Sequence, residues 1–543
     1  MKVALAQLNY HIGNFESNIA KVIAAINEAK AQSADLIVFS ELSICGYPPR
    51  DFLEFSDFIA ACDAGIRQIA QECIGIAAII GAPSKNDSGM GKPLYNSAYF
   101  IADGKIASVH HKCLLPTYDI FDEYRYFEPG PECAVVAYKN KRIAITVCED
   151  LWNVGESAIY SRSPMDSLAG QSPDFIVNIS ASPFSDDHRE HRMEAFRENA
   201  LRHGLPVIFV NHVGAQTELI FDGGSFVMDA GGNLTDELKY FEEELRCVTL
   251  GDSSAAPQLQ GHTGKIERIH DALVLGVRDY FRKSGLDTAI LGVSGGADSA
   301  VTLALAARAL GKERVRAVLL PSKFSSDHSV DDAKALVETI GCTHDTINIE
   351  GVASSVEAAL NPYFEGREAD VTEENIQARA RGLLLMGLAN KFGYVLLNTS
   401  NKSEAAVGYG TLYGDMAGGL SVLGDVYKTD VYELAHFINR AGESIPMNSI
   451  TKPPSAELKP NQKDTDSLPE YDILDKILVQ YIEQRLGPNE IVAAGYDAKL
   501  VARILKLVNT NEYKRYQTPP TLRVSSKAFG MGRRMPIVGK YLS

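Results

Sequence analysis

Three residues in the first half of the chain are of types that together attack an amide. Glu41 follows the apolar run Asp35-Leu36-Ile37-Val38-Phe39. Lys112 lies in His110-His111-Lys112-Cys113-Leu114-Leu115-Pro116. Cys148 follows Ile143-Ala144-Ile145-Thr146-Val147 and precedes Glu149-Asp150. A thiol is an effective nucleophile only as thiolate. A carboxylate can take its proton, and an ammonium can stabilise the thiolate and the tetrahedral oxyanion. Singly, each has an ordinary explanation: a strand-end Cys is usually core, a Glu after a strand solvated, a Lys on the surface. Together they form a complete set for opening a carboxamide. A second chemistry sits at Leu291-Gly292-Val293-Ser294-Gly295-Gly296-Ala297-Asp298-Ser299. Here a Ser-Gly-Gly turn joins an apolar run to an Ala- and Leu-rich one. Glycines let the backbone come close, free N–H groups point outward, and a helix N-terminus favours negative charge, so the turn suits a phosphate. No Gly-Lys-Ser/Thr follows, so it is not a Walker A loop.

Rigid elements must aim these residues. The first half reads as α/β layering, with strands expected over 2–8, 35–39, 76–81, 97–102, 142–147, 174–179 and 206–210 and an amphipathic helix over 14–32. Glu41 and Cys148 then fall at strand ends, where layered α/β proteins place their chemistry. The segment 252–264 is small, polar and nearly uncharged and reads as a linker. It separates expected domains over 1–251 and 265–543. In the second, a helix over 265–283 leads into a strand over 287–291, the phosphate turn and a helix over 300–310. Strands over 314–320, 346–349 and 394–397 and helices over 330–340 and 372–391 follow. Asn375 and Arg379 lie one turn apart on the last of these helices. Pro321 to Ser326 reads as a nucleotide-contacting loop. Asn398-Thr399-Ser400-Asn401-Lys402-Ser403-Glu404 is a second polar loop after a strand of the same unit, expected at the same crevice as the phosphate turn. Glu404 is a hard oxygen ligand suited to Mg²⁺. Gly408 to Gly419 is glycine-dense and reads as a flexible lid, and Pro453 to Pro469 as a long loop. Residues 511–515 and 529–536 make a basic patch expected to clamp an anionic substrate.

The 543 residues are too many for one core. A hydrophobic content of 45% with 22% charged residues is that of a soluble globular chain. A net charge of −16 without a long Lys/Arg run argues against a nucleic-acid surface. The eight cysteines form no C-x-x-C pair, which gives no sign of a zinc ribbon or iron–sulfur cluster and fits a reducing cytoplasm. No signal peptide or membrane-length apolar run is seen, so the expected location is cytoplasmic.

The local sequences around the first three residues resemble the nitrilase/amidase superfamily: strand-Ser-Glu at 36–41, His-Lys-x-x-Leu-Pro-x-Tyr at 111–118 and Cys-Glu-Asp at 148–150. The resemblance implies an αββα sandwich, with Glu41 as general base, Lys112 as thiolate and oxyanion stabiliser, and Cys148 as a thioester-forming nucleophile. Phe121-Asp122-Glu123-Tyr124 looks like that family's loop near the site, with Glu123 placed to orient Lys112. The glutamine-hydrolysing branch is the nearest likeness. It implies glutamine contacts from Tyr118 and Ser182, and a further one, usually Lys or Arg, that falls on His188, with Arg189 and Arg192 as substitutes.

S-G-G-x-D-S resembles the pyrophosphate loop of N-type ATP pyrophosphatases, a doubly wound parallel-sheet fold. Asn398 to Glu404, Tyr409-Gly410-Thr411-Leu412-Tyr413-Gly414-Asp415 and Phe529-Gly530-Met531-Gly532-Arg533-Arg534-Met535-Pro536 narrow the likeness to the NAD synthetase family, and the amidase half to its glutamine-dependent branch. The resemblance places ATP on Gly292, Val293, Ser294, Gly295, Gly296, Ala297, Asp298, Ser299, Thr399 and Lys428. It places deamido-NAD⁺ on Asn375, Glu404 and Lys514, and Mg²⁺ on Asp298, with Glu404 as the second oxygen ligand. It implies glutamine hydrolysis to supply ammonia, adenylation of the nicotinate carboxylate by ATP, and release of AMP, pyrophosphate and glutamate in the last step of NAD⁺ biosynthesis. The fusion implies an internal ammonia channel, and the family resemblance implies a homo-oligomer; composition and charge give neither nucleic acid nor membrane as expected partner. The competing readings are an amidotransferase with another acceptor, a tRNA-thiolating enzyme and a scaffold with degenerate sites. The first leaves the lid and tail motifs unexplained, the second lacks paired cysteines and a basic surface, and the third is opposed by intact Glu41, Lys112, Cys148 and Asp298.

Overall fold

The apolar runs of the first half assemble as two six-stranded sheets laid face to face. The computed structural model describes residues 1–131, 133–155, 158–251, 257–260, 264–460 and 462–542. The chain divides into two units, residues 1–263 and 264–543. Most of the linker expected over 252–264 lies outside the described residues.

In the first unit one sheet runs in the order Glu244–Thr249, Lys2–Gln7, Leu36–Val38, Ala77–Lys85, Leu94–Ala102, Lys105–His111. The other runs Leu234–Glu237, Phe226–Met228, Val207–Asn211, Phe175–Ser180, Lys141–Val147, Val135–Tyr138. Three successive strands inside each sheet are parallel and the outer ones antiparallel. Side chains alternate across a strand. Leu36 and Val38 therefore join Val3, Leu5, Ile145, Val177 and Ile208 between the sheets. Ile37 points the other way, onto Val22, Ile26, Ile66 and Ile69 of helices Phe15–Ala31 and Ser56–Glu72. On the outer face of the second sheet, Phe196 and Ala200 of helix His188–His203 cover Ile176, Phe209 and Phe226. The central strands of each sheet are buried on both faces, so they read as unbroken apolar runs. The result is an αββα sandwich.

The second unit is built on a parallel sheet in the order Thr343–Thr346, Val315–Leu319, Ala289–Gly292, Val395–Asn398, Leu420–Ser421. From the central strand Ala289–Gly292 the chain first winds to one side, then returns to the other. That is a topological switch point, where the carboxyl ends of the two diverging strands open a crevice. Ile290 packs under Leu385 and Ala389 of helix Val371–Phe392. Ala289 and Leu291 alternate with it and are also fully buried, so both faces of the sheet are covered. Helices Tyr471–Ile482, Pro488–Ala493 and Ala498–Thr510 form a separate apolar cluster with Ala406 and Val407.

Two strands depart from expectation. The strand expected over 346–349 lies at Thr343–Thr346, and Ile349 instead enters the buried core under helix Val371–Phe392. Lys105–His111 is a further strand, an edge with no buried residue in its span. Pro453 to Pro469 is not a bare loop. It contains a short 3-10 turn at Asp464–Asp466, and its Glu457 accepts hydrogen bonds from Ser326 Oγ (2.8 Å) and Ser329 Oγ (2.7 Å) at the start of helix Asp327–Ile340.

Candidate functional sites

The chain turns sharply after Leu36–Val38 to present Glu41. That turn passes so close to the neighbouring strand that a Cβ at Gly81 would stand 2.3 Å from Leu42 N. Glu41 is fully buried. Its Oε1 accepts from Lys112 Nζ at 2.9 Å and Asn96 Nδ2 at 2.7 Å, and its Oε2 from Ala181 N at 2.9 Å. Lys112, also fully buried, donates a second bond to Glu123 Oε1 at 2.8 Å. Glu123 in turn accepts from Tyr47 Oη at 2.9 Å. A buried ammonium is tolerable only when paired in this way. Burial works to lower the Lys112 pKa; the charges of Glu123 and Glu41 overcome it and hold the ammonium above its usual range.

Cys148 ends the strand Lys141–Val147 in the left-handed backbone region, φ +42°. Such a conformation is costly for a side chain with a Cβ and is found where the surrounding structure imposes it. Asp150 supplies much of that constraint. Its carboxylate accepts from the backbone N–H of Val147 (3.0 Å), Cys113 (2.9 Å) and Leu114 (2.9 Å), which ties the strand end before the thiol to the segment after Lys112. Burial raises the Cys148 thiol, the charge of Glu41 adds to the rise, and Lys112 opposes it. The three residues are all buried, and the charges of Glu41 and Lys112 both act on Cys148.

Around this centre, Glu149 accepts from the hydroxyls of Tyr118 (2.9 Å) and Tyr160 (3.0 Å). Ser182 follows Ala181, the donor to Glu41, and its Oγ lies 2.8 Å from His188 Nε2. Trp152 stacks on the His188 ring, with centroids 4.9 Å apart. The alternatives to His188 are committed elsewhere: Arg192 is buried against Asp222, and Arg189 bonds Glu237 and Tyr240. Tyr47 and Asn96 escaped the sequence reading as site residues, and Asp150 stood in it only as part of the Cys-Glu-Asp segment, without a role. Asn96 had a signal, a polar amide inside the apolar strand Leu94–Ala102.

The acidic members of this network set a pH dependence. Burial raises the Glu123 carboxyl to about 7, against the pull of Lys112, and burial raises Asp150 to about 6. The folded chain thus keeps protons that the unfolded chain has already lost. Stability from these groups is greatest below the ordinary carboxylate range and falls as pH rises through 6 and 7. Glu123→Gln removes one of the two titrations. Its melting temperature is expected to decline less steeply than the parent's between about pH 5 and about pH 8; parallel slopes would refute the assignment.

In the second unit the Ser-Gly-Gly turn follows Ala289–Gly292 and opens helix Ala297–Leu310. Ser294 N and Oγ both lie 3.2 Å from Ser299 Oγ, and Gly296 N donates to Ser294 Oγ at 3.3 Å, so the two serines close the turn. Gly295 has φ +82°, and a Cβ there would stand 2.2 Å from Ser329 O. Gly295→Ala is expected to lower kcat/KM for ATP by at least about 10²-fold, through both the backbone conformation and the close approach. Steady-state assays with varied ATP check this.

Asp298 accepts from Asn401 Nδ2 at 2.9 Å and pairs with Lys428 Nζ. Asn401 also caps the helix Lys402–Val407, accepting from Glu404 N at 3.0 Å. The two polar loops expected at one crevice therefore meet there. Glu404 is raised well above the usual carboxylate range by burial, then by the charges of Asp298 and Asp464, with Lys428 opposing. Burial tends to lower Lys428; Asp298 and Glu404 overcome it and raise it. Thr399 is half-buried between the strand Val395–Asn398 and this helix. Val293 N donates to Val318 O at 2.9 Å, which fixes the start of the turn to the neighbouring strand.

The remaining candidates gather on the glycine-dense segment. Asn375 Oδ1 accepts from Thr411 Oγ1 at 2.7 Å, and Lys514 Nζ donates to Gly408 O (2.7 Å) and Gly410 O (2.8 Å). Burial lowers Lys514, with Asp415 opposing. The basic patch is less available than expected: Arg515 and Arg533 both pair with Glu512 at 2.6 Å, and both are buried. Both side chains are thus committed to contacts within the fold. Arg381, which drew no notice in the sequence, is half-buried, and burial lowers its pKa; its Nε donates to Leu320 O at 3.1 Å beside the crevice.

The carbon-nitrogen hydrolase family model matches residues 2–256, and the NAD synthase model matches residues 269–518. The two matches thus define a class, a carbon–nitrogen hydrolase joined in one chain to an NAD synthase. The glutamine-dependent NAD(+) synthetase of Synechocystis sp. is 44% identical, over 98% of each chain. That of Acinetobacter baylyi is 42% identical, over 99% of this chain and 98% of its own. The solved structure of the glutamine-dependent NAD⁺ synthetase from Acinetobacter baumannii in complex with ADP superposes with a TM-score of 0.79, at 40% identity, covering 99% of this chain and 98% of that one. The chain belongs to the glutamine-dependent NAD(+) synthetase family. Among the described residues, no helix is long and apolar enough to cross a membrane.

Proposed function

We propose that the chain amidates deamido-NAD⁺ to NAD⁺ at the expense of ATP, with ammonia from glutamine hydrolysed at Cys148. The observation that carries the reading is the buried Glu41–Lys112–Cys148 set in the same chain as a Ser-Gly-Gly turn whose Asp298 meets Lys428 and the Glu404 loop. Residues 1–251 are assigned to the glutaminase and 265–543 to the synthetase.

At the first site the resting nucleophile is a thiol. As it attacks the glutamine side-chain carbonyl, Glu41 takes its proton and Lys112 faces the oxyanion. Ammonia leaves with the returned proton, and water hydrolyses the thioester to glutamate. Tyr118, Ser182 and His188 hold glutamine; the Ser182–His188 bond and the Trp152 stack fix the imidazole for that task.

At the second site ATP lies on 292–299, Thr399 and Lys428, and deamido-NAD⁺ on Asn375, Glu404 and Lys514. The nicotinate carboxylate attacks the α-phosphate, pyrophosphate departs, and ammonia displaces AMP from the acyl-adenylate. The turn's N–H groups, the helix N-terminus and Lys428 stabilise the charge on the departing pyrophosphate. The donor set fits Mg²⁺: Asp298 and Glu404 are hard oxygen ligands, and with Asp464 they outnumber the one lysine among them. No three metal-ligating side chains converge among the described residues, and an ion held by two carboxylates and substrate phosphates needs no more. When bound there, Mg²⁺ supplies charge neutralisation to the phosphates.

The test is NAD⁺ formation from deamido-NAD⁺ and ATP with glutamine or ammonium as donor. Both donors are expected to work, with AMP formed in equal amount to NAD⁺. Activity with ammonium alone would remove the glutaminase assignment of the first site, and activity with neither would remove the acceptor.

A further inference from the structure

We propose that Cys113 and Cys133 are a modification site, a dithiol that a small-molecule disulfide oxidises to an intramolecular disulfide beside Lys112. The two backbones are neighbours whatever the sulfurs do. Gly130 N donates to Lys112 O at 2.7 Å, and a Cβ on Gly130 would stand 2.6 Å from His111 O. Arg162 steadies this loop through Gly130 O at 3.2 Å, and Gln171 through Cys133 O at 2.9 Å. The two thiols face each other with their sulfurs 2.7 Å apart.

The pair differs in access from Cys45 and Cys62. Cys113 is buried, but Cys133 is half-exposed, whereas Cys45 and Cys62 are both fully buried. Within the pair, solvent therefore reaches Cys133 first. The hydrogen bond with Cys113 lowers the Cys133 thiol, with Arg162 assisting against burial and Asp150. Such a thiol is the attacking partner in exchange.

The step balances as thiol–disulfide exchange. Cys133 loses its proton to solvent and attacks one sulfur of oxidised glutathione, expelling one glutathione thiolate. Cys113 then loses its proton and attacks the Cys133 sulfur of the mixed disulfide, expelling the second. Two protein thiols are oxidised, and one small disulfide is reduced to two thiols.

The experiment treats the full chain with oxidised glutathione, blocks free thiols, and maps peptides by mass. The expected result is a cross-linked peptide joining Cys113 to Cys133, with the free-thiol count falling by two from eight. Dithiothreitol should restore it. Cys113→Ser should stop at a glutathione adduct on Cys133, and Cys133→Ser should yield no cross-link. An unchanged thiol count, or a cross-link that joins other cysteines, would overturn the proposal. Because the readout is covalent, it is independent of whether the glutaminase assignment holds.

Discussion

Cys148→Ala is expected to lower NAD⁺ formation from glutamine by at least about 10³-fold and to leave formation from ammonium within about twofold of the parent. The asymmetry follows from the chemistry of the two sites. Without Sγ no thioester can form, and neither Glu41 nor Lys112 can replace the missing nucleophile. Ammonium supplied from solution bypasses that step, and the turn at 292–299 with its Asp298–Lys428 pair belongs to the other unit. The substitution is also mild for folding: alanine inherits the left-handed backbone of position 148 but adds no bulk to a buried site. Initial rates with each donor are the measurement. Equal loss with both donors in a folded variant would sink the two-site reading.

The complementary variant is Asp298→Ala. It is expected to lower NAD⁺ formation by at least about 10²-fold with either donor, because charge stabilisation at the departing pyrophosphate is lost. Three contacts go at once: the acceptor of Asn401, the partner of Lys428 and one of the two proposed Mg²⁺ ligands. Lys428 keeps Glu404 as a neighbouring charge, so the buried ammonium is not stranded. Acylation of Cys148 by glutamine, read by mass in a single turnover, should persist. Synthesis at the parental rate would exclude Asp298 from the phosphate site.

Much of both sites was legible because their chemistry sits in short local strings. Ser294 to Ser299 closes on itself within six residues, and Asn401 to Glu404 is a capped helix start, so neighbours in sequence are neighbours in space. The residues that escaped, or whose role did, act at a distance. Tyr47 and Asn96 reach Glu123 and Glu41 across the sheet, and Asp150 joins segments that lie 37 positions apart at its bond to Cys113. No periodicity announces such contacts. The misplaced strand has a related cause. Its residues, Thr343, His344, Asp345 and Thr346, are polar because they lie at the margin of the sheet. The apolar Ile347 and Ile349 beside it drew the expectation instead, and they serve the core beyond the strand. The basic tail shows the same limit, since charge in sequence does not reveal that Glu512 pairs with both Arg515 and Arg533.

The left-handed backbone at Cys148 carries an evolutionary consequence. A nucleophile aimed by an unfavourable φ sets selection for folding against selection for turnover at one codon. Glycine is the residue that this backbone favours, so drift toward Cys148→Gly relieves the strain while it silences the glutaminase. A screen that ranks variants by abundance or heat resistance would score that change as benign. In a population supplied with ammonia nothing would oppose it, and lineages that lost their glutamine dependence would be expected to show the loss first at this position.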